Sequence, residues 1–127
     1  MEWIKPSALI ALGAVLGANL RYFVTGWVAR HLTASFPYGT LAVNATGSFV
    51  LGFFLIWITE RVMASPQWRL LIAVGFCGSY TTFSSYTFET FAMMEQGRLW
   101  DAGINFFTNN ILCFLCTILG AIAARMI

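Results

Sequence analysis

The sequence predicts an all-α membrane protein with four transmembrane helices, the third broken mid-membrane. Three observations carry that prediction. The chain has 127 residues, of which 59% are hydrophobic and 9% charged. A soluble domain carries roughly a quarter charged residues, and a chain this short keeps too much surface for a buried core to absorb the difference. The apolar residues also gather in four runs, roughly 7–29, 40–59, 70–94 and 102–124, each near the length of about 20 residues that crosses hydrocarbon as a helix. Finally, the third run contains a dense polar stretch from Gly75 to Thr90, with two glycines, many hydroxyls, five aromatic rings and a carboxylate. Such a stretch persists at membrane depth only where it is buried in protein or faces water.

The first run holds a G-x-x-x-G step at Gly13 and Gly17, with Ala14 and Ala18 beside it. Small residues at that spacing let another backbone approach closely. The run is too long for a signal peptide and lacks a small-residue cleavage site, so a retained span is expected. The second run places Asn44 among Thr40, Gly47 and Ser48. In the third, Gly75 and Gly78 invite a helix break, and a broken helix exposes backbone carbonyls, which bind cations. The fourth puts Asn105, Asn109 and Cys113 at i, i+4 and i+8, with Thr108 adjacent. That spacing makes one polar stripe facing inward. The intervening segments 33–38, 60–68 and 95–101 contain Pro37, Pro66 and Gly97 and read as turns at the membrane surface. The whole chain, 1–127, reads as a single membrane domain.

An even number of spans puts both termini on one side. Lys5, Arg61, Arg69 and Arg125 then face Arg30 and Arg98 across the bilayer, with Arg21 about a turn and a half inside the second group's end. That is a weak bias for the positive-inside rule. Insertion in both orientations is therefore expected, and it permits an antiparallel two-fold homodimer. Four short helices offer little interior for a polar path, which also favours association.

Several functions are disfavoured. A net charge of +2 with no basic cluster gives nucleic acid nothing to hold. The lone His31, beside Arg30 near a helix end, lacks the companions of a metal site. Cys77, Cys113 and Cys116 form no even framework. The Cys113-x-x-Cys116 spacing lies in apolar surroundings, where thiols pack as small hydrophobes. No nucleophile–base pair can be assembled, so an enzyme is not expected.

Each polar group at depth has two readings. Asn44 is helix–helix glue, or a donor lining a cavity with Thr40, Gly47 and Ser48. Phe83 and Tyr86 are three apart and share a face if the helix resumes after the break. They are ordinary packing, or rings whose positive edges receive a small anion without a full charge. The Asn105–Asn109–Cys113 stripe is a row of donors or a hydrogen-bonded seam. Arg21 snorkels to the interface or draws anions into a vestibule. Glu89 is expected to accept hydrogen bonds or cap a helix.

Residues 39–49 (GTLAVNATGSF) and 75–84 (GFCGSYTTFS), with the Gly-Ala-x-x-Gly-Ala-x-x-Arg pattern at 13–21, resemble the Fluc (CrcB) fluoride channels. The resemblance covers the whole chain. It implies a passive fluoride-selective channel in the bacterial inner (plasma) membrane, exporting cytoplasmic fluoride and so relieving its toxicity. It also implies a dual-topology antiparallel homodimer with two pores. A structural sodium ion at the dimer centre is implied, held by backbone carbonyls of the third-helix break, here at Gly78 and Thr81. Pore positions are implied at Asn44, Phe83 and Tyr86, with Thr82 and Ser84 in the same hydroxyl run and Asn105 and Asn109 on the fourth helix. The family usually has phenylalanine where Tyr86 stands, and tyrosine and serine where Asn105, Asn109 and Cys113 stand. The route past these positions is therefore this chain's own.

Two rivals differ in class. A small multidrug transporter shares the four spans but needs a carboxylate in its first helix, and residues 7–29 contain no Asp or Glu. A noncatalytic subunit of a membrane complex would carry no flux alone.

Overall fold

The computed structural model describes residues 3–33, 35–62 and 65–127. The side chain of Arg61, which the sequence groups with the termini, lies outside the described residues, as do Ala34, Met63 and Ala64 in two of the expected turns. Helix α1 runs over Ile4–His31 and α2 over Tyr38–Trp57, and α2 passes into a wide π turn at Ile58–Val62. A short α3 (Pro66–Trp68) leads into a π-helical segment, Arg69–Cys77, and a last α-helical turn, α4 (Gly78–Tyr80). After an extended pair of residues the chain resumes as α5 (Phe83–Glu95), then α6 (Leu99–Met126). No strand occurs among the described residues.

Among the described residues, three stretches are long and apolar enough to cross a membrane, namely Ile4–His31, Tyr38–Glu60 and Leu99–Met126. The remaining apolar run, between Pro66 and Glu95, is helical in two pieces. Polar contacts join the elements at both ends. Arg125 forms a bidentate ion pair with Glu60, joining the ends of α6 and α2. At the opposite end, Arg98 donates to the Ser35 carbonyl and pairs with Asp101 at 2.7 Å, joining the α5–α6 turn to the α1–α2 turn. Gly97, with φ 73°, makes the first of these turns possible.

Glycines set how closely the helices pack. A side chain on Gly13 would collide with the Leu71 carbonyl, and one on Gly75 would sit 2.6 Å from the Ile10 carbonyl oxygen. The G-x-x-x-G face of α1 therefore lies directly on the π-helical segment. Gly52 meets the Thr117 backbone and Gly120 the Phe49 backbone in the same way, which locks α2 to α6. The outward surface is apolar. Phe23 is 62% exposed and Phe114 67%, an arrangement that water would disfavour and hydrocarbon accepts.

The break falls between Tyr80 and Phe83, but the glycines are not its cause. Gly75 and Gly78 are both helical, and Gly78 has φ −62°. The extended residues are Thr81 (φ −81°, ψ 159°) and Thr82 (φ −148°, ψ 114°). Threonine is β-branched and suits extended backbone, and its hydroxyl can bond the nearby backbone. Thr81 Oγ1 donates to the Cys77 carbonyl at 2.9 Å, and Thr82 Oγ1 caps α5 by accepting from the Ser85 N–H at 3.1 Å. Gly75 serves close approach to α1 instead.

Candidate functional site

Asn44 is clamped onto the backbone of the break. The Thr82 N–H donates to Asn44 Oδ1 at 2.7 Å, and Asn44 Nδ2 donates to the Thr82 carbonyl at 3.1 Å. A backbone N–H needs an acceptor, so this pairing fixes which way the amide faces. The second Nδ2 hydrogen goes to Asn109 Oδ1 at 3.1 Å. Asn109 Nδ2 in turn donates to Asn105 Oδ1 at 2.9 Å, and Asn105 Nδ2 to Thr90 Oγ1 at 2.9 Å. Thr90 Oγ1 ends the series on the Tyr86 carbonyl at 2.8 Å.

These residues form one directed hydrogen-bond seam from α2 through α6 to α5. Asn105 is wholly buried and Asn109 nearly so. The inward stripe expected at 105, 109 and 113 is therefore present, with Cys113 half-buried. Its amides are spent on one another, so the seam reading describes them in this conformation. Both hydrogens of Asn44 are likewise taken by protein acceptors.

A cavity of about 270 Å³ opens beside the seam. Asn44, Thr82, Phe83, Tyr86, Asn109 and Cys113 line it, joined by Ser48, Leu51, Thr81 and Asn110. The break thus brings Asn44, Thr82, Phe83, Tyr86 and Asn109 to one place, while Ser84, which is exposed, and Asn105, which is buried, do not line the cavity. The Phe83 and Tyr86 rings touch edge to face, with centroids 5.4 Å apart. Tyr86 is buried, whereas Phe83 is 74% exposed and projects from the chain.

Thr82 and Ser85 have a further consequence. In an unbroken helix the Thr82 N–H would bond the Gly78 carbonyl, and the Ser85 N–H the Thr81 carbonyl. Here they go to Asn44 Oδ1 and Thr82 Oγ1. The two carbonyls singled out from the sequence, at Gly78 and Thr81, thus lose their helical donors. A Cβ on Gly78 would meet nothing nearer than 3.8 Å, so that position lies open.

A second cavity of about 380 Å³ lies toward the C-terminal end of α1, lined by Thr25, Tyr38, Thr40, Glu89 and Arg98 among others. Glu89 does not cap a helix. Its Oε1 accepts from Thr40 Oγ1 at 2.7 Å, and its Oε2 is buried with no partner among the described residues. Arg21 is half-buried on α1 and lines neither cavity. Sequence reading missed Thr90 and Asn110. Thr90 ends the seam, and Asn110 Nδ2 donates to the Tyr86 hydroxyl at 2.9 Å. No local spacing links residues 86 and 110, so only the packing of α5 on α6 reveals that contact.

Apolar helices around an open cavity with several polar side chains, and a helix break on its wall, fit an integral membrane protein of the transport class. Residues 8–121 match the family described as "CrcB-like protein, Camphor Resistance (CrcB)". The chain is 53% identical over 118 residues to the "Fluoride-specific ion channel FluC" of Koribacter versatilis (strain Ellin345), covering 93% of each chain. It is 45% identical over 119 residues to the protein of the same name from Sulfurihydrogenibium sp. (strain YO3AOP1), covering 94% of this chain and 96% of that one. For the Roseiflexus sp. (strain RS-1) protein, again so named, the identity is 46% over 118 residues, with 93% and 95% covered. The chain belongs to the CrcB family.

Proposed function

We propose that this protein is a passive fluoride-selective ion channel that lets fluoride leave the cytoplasm. The observation that carries the reading is the cavity, bordered by Asn44, Thr82 and Asn109, against the Thr81–Thr82 break in a chain whose relatives are named fluoride-specific channels. Its function is permeation rather than catalysis. Fluoride enters as the neutral acid and ionises in a near-neutral cytoplasm, where an inside-negative potential drives the anion outward. No pump is required.

The cavity suits a small, strongly hydrated anion. Uncharged groups replace its water without holding it too tightly to leave. Asn44, Thr82, Phe83, Tyr86 and Asn109 would border the path, with Ser84 and Asn105 adjoining it. Asn44 and Asn109 act chiefly by holding the wall, since their amide hydrogens are engaged within the protein.

The finer architecture is part of the same proposal. Four crossings put the Glu60–Arg125 end opposite the Ser35–Arg98 end. Near-balanced Lys and Arg then support insertion both ways and an antiparallel homodimer in the bacterial inner membrane, with two pores. The exposure of Phe83 supports a partner surface over the cavity mouth. Labelling a terminal tag in intact cells tests this, and a single orientation in every molecule rules out the antiparallel dimer.

The Gly78 and Thr81 carbonyls, relieved of helical donors, fit a hard cation that prefers oxygen, and sodium is the ion proposed. Such an ion would supply fixed positive charge to hold two broken helices together. Dimer stability that is unchanged when sodium is replaced by a bulky organic cation argues against it.

Passive flux distinguishes the rivals. A multidrug carrier would need a coupling carboxylate on α1, and α1 holds none. Fluoride flux from the purified chain in liposomes, without a proton gradient, is the outcome expected of a channel.

A further inference from the structure

Proton counting at the cavity wall singles out one hydroxyl. Asn110 Nδ2 makes two hydrogen bonds, one to the Phe106 carbonyl at 2.7 Å and one to the Tyr86 hydroxyl at 2.9 Å. A carbonyl can only accept, so Phe106 fixes Nδ2, not Oδ1, at this position. The amide nitrogen then has one hydrogen left, and Tyr86 must accept it. A phenol that accepts still carries its own proton. No acceptor for that proton stands within hydrogen-bonding distance among the described residues. Tyr86 and Asn110 both line the 270 Å³ cavity.

The neighbouring amides and the Thr82 hydroxyl are accounted for. Asn44 and Asn109 spend their hydrogens on the seam, and the Thr82 hydroxyl lies against the hydroxyls of Ser84 and Ser85. The Tyr86 ring is held by Phe83 on one side and Phe106 on the other, with centroids 5.4 and 6.5 Å away. The ring therefore cannot swing to find another partner without unpacking.

We propose that the Tyr86 hydroxyl, oriented by Asn110, is the hydrogen-bond donor to the permeating anion, and that Asn110 is a positioning residue for it. The proposal rests on the channel reading above and deepens it. At this position the chain offers a true O–H donor where an unsubstituted ring would offer only a weakly positive edge. A hydrogen bond to an ion is worth more than one between neutral groups, so the hydroxyl should set how readily fluoride occupies the site. Asn110 contributes by taking up the phenol's acceptor face and leaving its proton to the anion.

The test is fluoride flux from liposomes at graded fluoride concentrations, reading the half-saturating concentration apart from the maximal rate. Tyr86→Phe keeps the ring and its contacts and should fold and conduct, with half-saturation raised on the order of tenfold. Asn110→Leu should raise it less, by roughly threefold, because the phenol survives but loses its orientation. The double variant should match Tyr86→Phe alone, since Asn110 acts only through the hydroxyl. A merely structural role would lower maximal flux or thermal stability and leave half-saturation in place. Unchanged half-saturation in a conducting Tyr86→Phe protein overturns the proposal. Additive effects in the double variant overturn the positioning role. A wild-type protein that passes no fluoride defeats the channel reading itself, a result that cannot be mistaken for either.

Discussion

Replacing Asn44 by aspartate tests whether the clamp on Thr82 holds the break. The change is nearly isosteric. One carboxylate oxygen still accepts the Thr82 N–H, now at the place where Oδ1 accepts it at 2.7 Å. The other faces two acceptors, the Thr82 carbonyl and Asn109 Oδ1, each 3.1 Å from the original nitrogen. Two donated hydrogen bonds vanish and two buried acceptors lose a partner, at about 1–3 kcal/mol each. Asn109 cannot rotate to compensate without breaking its own bonds to Asn105 at 2.9 and 3.2 Å. The expected loss is roughly 4 kcal/mol, a large share of the 5–15 kcal/mol that holds a typical domain. At this chain length that corresponds to a fall of about 10–20 °C in the unfolding midpoint. Thermal unfolding of the detergent-solubilised variant against wild type reads it, and flux should be lost in parallel. An Asn44→Asp protein that unfolds within about 2 °C of wild type would show that the clamp contributes little and that the break is held by other contacts.

Two further outcomes follow from the same geometry. Gly13→Val should prevent folding or lower the unfolding midpoint by more than any surface change, because its Cβ meets the Leu71 carbonyl and backbone cannot move aside cheaply; yield and midpoint of the purified variant report it. Phe83→Ile keeps an apolar side chain at an exposed position but removes the ring quadrupole, so flux should fall at least tenfold while the fold survives; normal conduction would make the ring packing alone.

What the sequence revealed and what it hid divide along physical lines. Long apolar runs and the 105–109–113 spacing are local patterns, so α1, α2, α6 and the buried asparagine stripe were all visible. The existence of a break was visible too, from polar density at membrane depth. Its cause was misjudged. Glycine signals conformational freedom, but Gly75 is used for contact with α1, and two threonines supply the extended backbone. The destinations of the amide hydrogens were out of reach. Asn44 reads as a donor to a ligand until Thr82 and Asn109 are brought beside it across 38 and 65 residues of sequence. The Tyr86–Asn110 contact is of the same non-local kind. Phe83 and Tyr86 do touch, as their spacing suggests, yet one ring is buried and the other projects outward.

The most direct measurement of the central claim is anion efflux from liposomes containing only the purified protein. Internal fluoride or chloride is released under a potassium gradient clamped with valinomycin, with equal pH on both sides. The account predicts fast fluoride efflux driven by voltage alone, with chloride efflux far slower. Fluoride efflux that is absent, that needs a proton gradient, or that chloride matches in rate would contradict it.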